Sequence, residues 1–109
     1  MALAYSARMG DVVMRPLRAL VEAHRSEIKT IVARHKGRSV AVFGSVARGE
    51  ETPESDIDLL VEFAPEASLF DLARIKLDVE ASIGCRVDVL SAASLLPEDD
   101  DVRRDAVPL

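Results

Sequence analysis

Two short stretches hold side chains whose types and spacing could do chemistry: Phe43-Gly44-Ser45-Val46-Ala47-Arg48-Gly49 and, ten residues beyond Ser45, Ser55-Asp56-Ile57-Asp58-Leu59-Leu60-Val61. A Gly-Ser pair where a strand gives way to a helix is suited to an anion. Glycine lets the backbone come close, the hydroxyl and free N–H groups donate, and the helix dipole favours negative charge. Arg48, one turn further on, can add a bidentate contact to a phosphate. Asp56 and Asp58 stand at i and i+2 in an apolar run, so on a strand they project to one side while Ile57, Leu59, Val61 and Phe63 project to the other. Paired carboxylates repel, which raises the pKa of at least one unless a cation lies between them. Oxygen ligands at this spacing suit Mg²⁺ better than zinc. A phosphate cradle followed by a two-carboxylate metal platform points to phosphoryl chemistry.

Other candidates are less specific. Asp88 interrupts the apolar run Arg86-Val87-Asp88-Val89-Leu90, and an acid there needs a reason because an unpaired buried carboxylate is costly. It could pair with Arg86 or Arg48, lie on an exposed edge, or join the first two aspartates. Glu50, Glu51 and Glu54 could touch metal-bound water or form a solvated acidic loop. His24 falls in an apolar stripe, as core and interface histidines do, and His35 reads as a solvated helix end. No Gly-Lys-Ser/Thr phosphate loop of the ATPase type occurs.

The elements that must position these residues can be read from period and punctuation. A helix is predicted from Pro16, or from as early as Asp11, with Leu17, Leu20, Val21, His24, Ile28, Ile31 and Val32 on one face and Gly37 as its C-terminal cap. Strands are predicted over Ser39–Phe43, Asp56–Phe63 and Arg86–Leu90, with a polar loop from Arg48 to Ser55 over the site. Ser68 and Asp71 form a capping box for a helix carrying Leu69, Leu72, Ile75, Leu77, Val79 and Ile83, stopped by Gly84. Ser91–Leu96 reads as a short helix ended by Pro97, and the acidic run Glu98–Asp101 as a solvated tail. Residues 1–10 carry no period and are expected to be mobile; residues 11–109 are expected to form a single domain. The fold class expected is α+β: two layers, a small mixed sheet with helices on one face and the other face open at the carboxylates.

The combination of Gly44-Ser45 with Asp56-x-Asp58 at this distance resembles the signature of the DNA polymerase β-like nucleotidyltransferase superfamily. The fuller string FGSVARGE…SDIDLLVEF is similar to its smallest branch, the minimal nucleotidyltransferases (MNT proteins) of HEPN/MNT toxin–antitoxin pairs. The likeness runs from about Arg15 to the terminal Ala106-Val107-Pro108-Leu109. It implies a third carboxylate at Asp88, so that Asp56, Asp58 and Asp88 hold two Mg²⁺ ions and Asp88 helps take the proton from the incoming hydroxyl. It further implies ATP bound at Gly44, Ser45 and Arg48, and transfer of AMP to a tyrosine of a HEPN-domain toxin, which silences the toxin. No residues remain for an acceptor domain, so a partner is expected to complete the acceptor site. Two other readings stay open: an antitoxin that acts by contact alone, and a subunit of a small-molecule nucleotidyltransferase.

Composition sets outer limits. At 109 residues, 49% hydrophobic and 30% charged, the chain is long enough to bury roughly 60–65% of its unfolded surface in one core. No apolar run reaches the ~18 residues of a membrane span, and Met1–Gly10 does not read as a signal peptide. The one cysteine, Cys85, excludes an internal disulfide and fits a reducing cytoplasm. A net charge of −5 and a pI near 5.0 argue against nucleic-acid binding, which favours a basic face. The only basic cluster, Arg34, His35, Lys36 and Arg38, complements a helix dipole equally well.

Overall fold

The computed structural model describes residues 16–52 and 54–109. The expected mobility of residues 1–10, the earliest helix start at Asp11, and Pro53 lie outside the described residues. The order of elements is α1 (Pro16–Ala23), α2 (Arg25–Arg34), β1 (Gly37–Phe43), α3 (Gly44–Arg48), β2 (Ile57–Phe63), α4 (Leu69–Ile83), β3 (Val87–Ser91), a 3₁₀ turn (Ala92–Ser94), α5 (Asp100–Asp105) and β4 (Val107–Pro108). The four strands form one mixed sheet in the order β3-β2-β1-β4. β1 runs antiparallel to β2 and β4, and β2 runs parallel to β3.

Alternation along the strands separates the two faces. Val40 and Val42 of β1, Ile57, Leu59 and Val61 of β2 and Val87 of β3 are buried, against Ile28, Ile31 and Val32 of α2 and Ile75, Val79 and Ile83 of α4. Each such side chain contributes about 1.5–3 kcal/mol when fully buried. A one-residue slip of β2 would expose Ile57, Leu59 and Val61 and drive Asp58 into the core. Register is therefore fixed by the apolar set, and the aspartates inherit their position from it. The α+β, helices-on-one-face arrangement expected from the sequence is the one observed.

Several local expectations change. The first helix is interrupted at His24, whose φ of −110° and ψ of 17° leave the helical basin. Its Nδ1 lies 3.0 Å from the Leu20 carbonyl, while the apolar stripe continues on both sides of the break. Gly37 is not the cap. Lys36 takes the left-handed conformation (φ 67°), and Gly37 opens β1, where a Cβ would lie 2.9 Å from the Val32 carbonyl oxygen and strike the Val32 side chain. Of the apolar residues on α4, Leu69 and Leu77 are 82% and 61% exposed. The acidic tail folds into α5, and β4 then pairs Val107 with Val42 of β1. Chain closure continues with the Leu109 amide donating to the Val40 carbonyl (3.0 Å) and Arg25 donating to the Leu109 carbonyl (2.6 Å).

The capping box at α4 forms as expected. The Phe70 amide donates to Ser68 Oγ at 3.2 Å and the Ser68 amide to Asp71 Oδ2 at 2.9 Å, and the latter bond above all holds the Asp71 carboxyl below its usual range. Because α4 links β2 to β3, Ser68→Ala is expected to cost about 1 kcal/mol in urea unfolding without changing which side chains meet at the open face. Gly84 ends α4 at φ 76°.

Candidate active site

β1 delivers the chain to the site through Phe43, and Gly44 then turns it at φ +73° into α3. This turn and the carboxylates are in direct contact. A Cβ on Gly44 would collide with Asp58 Oδ2 and lie 3.2 Å from Asp58 Cγ, so only glycine lets the Asp58 carboxylate rest on the backbone. Val46 is fully buried and fastens α3 to the core, while Gly49, at φ 78°, ends it. Ser45 therefore sits in the first turn of a helix whose start faces Asp58, half-buried, with its carbonyl accepting the Glu50 amide at 2.8 Å.

Strand pairing sets the acids in a row. Phe43 pairs with Asp58 across the antiparallel ladder, and Asp58 with Asp88 across the parallel one. Neighbouring strands lie about 4.8 Å apart and paired residues share a face, so Asp58 and Asp88 stand side by side on the open face. Asp56 lies just before β2 and two residues from Asp58. The sequence-predicted residues Gly44, Ser45, Asp56, Asp58 and Asp88 thus gather at one end of β1 and β2, and Arg48 closes α3 nearby.

The three acids meet different electrostatic surroundings. Asp58 has no ion-pair partner among the described residues. Burial first, then the charges of Asp88 and Asp56, push its pKa up to about 6, with Arg48 opposing. Asp56 has a cation beside it: Arg86 Nε lies 3.0 Å from Oδ1. The N–H is not aimed at that oxygen, which remains buried without a hydrogen bond. Asp88 is 64% exposed, with Lys76 Nζ 3.8 Å from its Oδ1. Lys76 also donates to the Val87 carbonyl (2.6 Å) and to Glu80 Oε2 (3.1 Å), and Glu80 accepts the Val87 amide (3.0 Å). α4 thereby grips β3 at the residue before Asp88. As these side chains stand, no group of three His, Cys, Asp or Glu among the described residues is drawn together around a common metal position.

The surrounding loop is tied down more than a solvated acidic loop would be. Glu50 accepts from Arg48 Nε at 2.8 Å, Glu51 accepts the Arg18 amide of α1 at 3.1 Å, and Arg86 donates to the Glu54 carbonyl at 3.2 Å. Arg48 donates as well to Asp105 of α5 at 3.2 Å. Arg86, Lys76 and Asp105 were not signalled as site residues by the sequence. The one available cue was Arg86 lying two residues from Asp88.

The donor set fits magnesium. It is made of carboxylate oxygens, one of them a buried oxygen without a hydrogen bond, and one carboxylate rests against a turn that has no room for a Cβ. Asp56, Asp58 and Asp88 could hold such an ion, and the start of α3 could hold phosphate. The centre lies on an open face rather than in a cavity. A groove of about 590 Å³ runs between α2 and α4 past Thr30, Ile31, Asp78 and Ser82, on the helix side of the sheet. No described helix is long and apolar enough to cross a membrane.

Comparison with known proteins agrees with this geometry. The family description "Nucleotidyltransferase domain" matches residues 25–107. The chain is 33% identical over 87 residues to protein adenylyltransferase MntA of Thermococcus cleftensis, covering 80% of this chain and 85% of that protein. A solved structure of a candidate minimal nucleotidyltransferase is 44% identical, superposes with a TM-score of 0.77, and covers 84% of this chain and 95% of the other. A chain in the complex of a tri-AMPylated Shewanella oneidensis HEPN toxin with an MNT antitoxin shares the fold at 16% identity and TM-score 0.60, covering 87% and 71%. A turn that seats Asp58 beside a helix start, a parallel strand that sets Asp88 next to it, and a family match over most of the length lead to one assignment: the chain belongs to the nucleotidyltransferase domain family and is a nucleotidyltransferase.

Proposed function

We propose that this nucleotidyltransferase is a magnesium-dependent protein adenylyltransferase that moves AMP from ATP to a tyrosine hydroxyl of a HEPN-domain toxin, and so acts as its antitoxin. The observation that carries the reading is that Asp58 lies against the Gly44 turn with Asp88 beside it on the neighbouring strand. The relative named as a protein adenylyltransferase supports the protein acceptor. The toxin–antitoxin complex of shared fold supports the partner.

In this reading the α3 amides and the Ser45 hydroxyl bind the β- and γ-phosphates, with Arg48 leaving Glu50 and Asp105 to add its guanidinium. Asp56, Asp58 and Asp88 would hold the magnesium, which when bound would supply positive charge to offset that of the triphosphate and of the reacting α-phosphate. The acceptor oxygen bonds to the α-phosphorus, the bond from that phosphorus to the bridging oxygen breaks, and pyrophosphate leaves. Asp88, being exposed on the edge strand, takes the acceptor's proton and returns it to water. The open face leaves room for an acceptor presented by another protein.

The test combines the chain, its HEPN partner, Mg²⁺ and α-labelled ATP. Label is expected on a partner tyrosine, with loss of toxin activity, and neither is expected when EDTA replaces Mg²⁺. Neutralisation without label would instead favour an antitoxin working by contact, and label on a small molecule alone would remove the protein acceptor.

A further inference from the structure

We infer that Arg86 is a resident counter-ion of the metal site: it occupies the Asp56 side of the carboxylate row in the metal-free enzyme, and divalent metal must displace it. This inference rests on the magnesium reading above. Three observations converge on it. Arg86 Nε lies 3.0 Å from Asp56 Oδ1, yet that oxygen is buried and receives no hydrogen bond. The guanidinium neutralises the charge without satisfying the atom, so the oxygen remains available to a better-placed cation. The Arg86 side chain is 74% exposed and is held otherwise through the Glu54 carbonyl of the site loop, so it can leave without disturbing the core. Finally, among the described residues the three acids do not gather around a common point while Arg86 stands beside Asp56.

A guanidinium and a divalent ion cannot share one carboxylate oxygen at this range, because like charges ~3–4 Å apart repel appreciably even at a high effective dielectric. Metal binding is therefore an exchange of cations, and Arg86 weakens apparent metal affinity while supporting the metal-free fold. Its departure also frees the Glu54 carbonyl, coupling the site loop to metal occupancy.

Mn²⁺ binding to the nucleotide-free chain, followed by electron paramagnetic resonance, tests this directly. Arg86→Gln is expected to bind Mn²⁺ about three- to tenfold more tightly than wild type, after allowing for solvent screening of an exposed cation. The gain should shrink as salt is raised. Arg86→Lys, which keeps the charge, should stay near wild type, as should Lys29→Ala, which removes a charge from α2. Metal-free Arg86→Gln should melt below wild type, and Arg86→Met provides the same readout should the glutamine variant fold poorly. Unchanged or weaker Mn²⁺ affinity in the folded neutral variants overturns the counter-ion. Absence of Mn²⁺ binding in wild type itself overturns the metal reading along with it.

Discussion

Asp58→Asn is expected to abolish nucleotidyl transfer, by on the order of a thousandfold or more, while making the metal-free protein more stable at pH 8. The two effects share one cause. Asp58 lies between Asp56 and Asp88, with its carboxylate against the Gly44 backbone, and its pKa is pushed up to about 6, first by burial and then by its acidic neighbours. A raised folded-state pKa means that folding favours the protonated form. The associated stability is fully present below the unfolded value of about 3.8 and is lost as pH rises through about 6. At pH 8 the wild-type apoprotein carries the full cost of the third negative charge, and asparagine does not. After discounting for solvent screening, the gain should be about 1–2 kcal/mol at pH 8 and should vanish as pH falls toward about 4. Urea unfolding of both proteins across this range in EDTA measures it. A pH-independent difference, or a less stable variant at pH 8, would show that Asp58 is not under electrostatic strain.

Gly44→Ala should be nearly as damaging, for steric reasons. Two penalties act together: a side chain at φ +73°, and a methyl group driven onto the Asp58 carboxylate. They should cost about 2–4 kcal/mol in stability and displace Asp58 or the start of α3, with transfer falling to background. Gly84→Ala is the matched control. Its φ of +76° is almost the same, but nothing lies within 4 Å of the added methyl group, so about 1 kcal/mol and unaltered transfer are expected. Equal losses in the two variants would mean that backbone conformation alone requires Gly44, and that the carboxylate contact is incidental.

Much of this site is legible in the sequence. The strands that bury Val40, Val42, Ile57, Leu59, Val61 and Val87 announce themselves by alternation, and the same alternation puts Asp58 and Asp88 on the opposite face. Gly44 is legible as a strand-to-helix turn because few other residues serve there, and Gly84 stops α4 where its position suggests.

What escapes is what tertiary contact alone decides. The pairing of Arg48 with Asp105 spans 57 residues, and the contacts of Arg86 with Asp56 and of Lys76 with Asp88 join separate elements, so no local pattern foretells them. α5 reads Asp-Asp-Val-Arg-Arg-Asp, with no apolar stripe to mark it as a helix. β4 is two residues long and contains a proline, which gives it no period at all. The break at His24 is hidden because the apolar face continues across it. Leu69 and Leu77 mislead in the opposite sense: they are apolar and helical, but α4 turns them outward.

The sheet has two borders, and each is closed by a different device. Along β3, the outward N–H and C=O of Val87 are already taken by Glu80 and Lys76. Along β4, Pro108 has no N–H to offer. Strand addition is therefore hindered at Val87 on one border and at Pro108 on the other. A protein that engages this one should dock on its faces, so binding and chemistry can use the same surface.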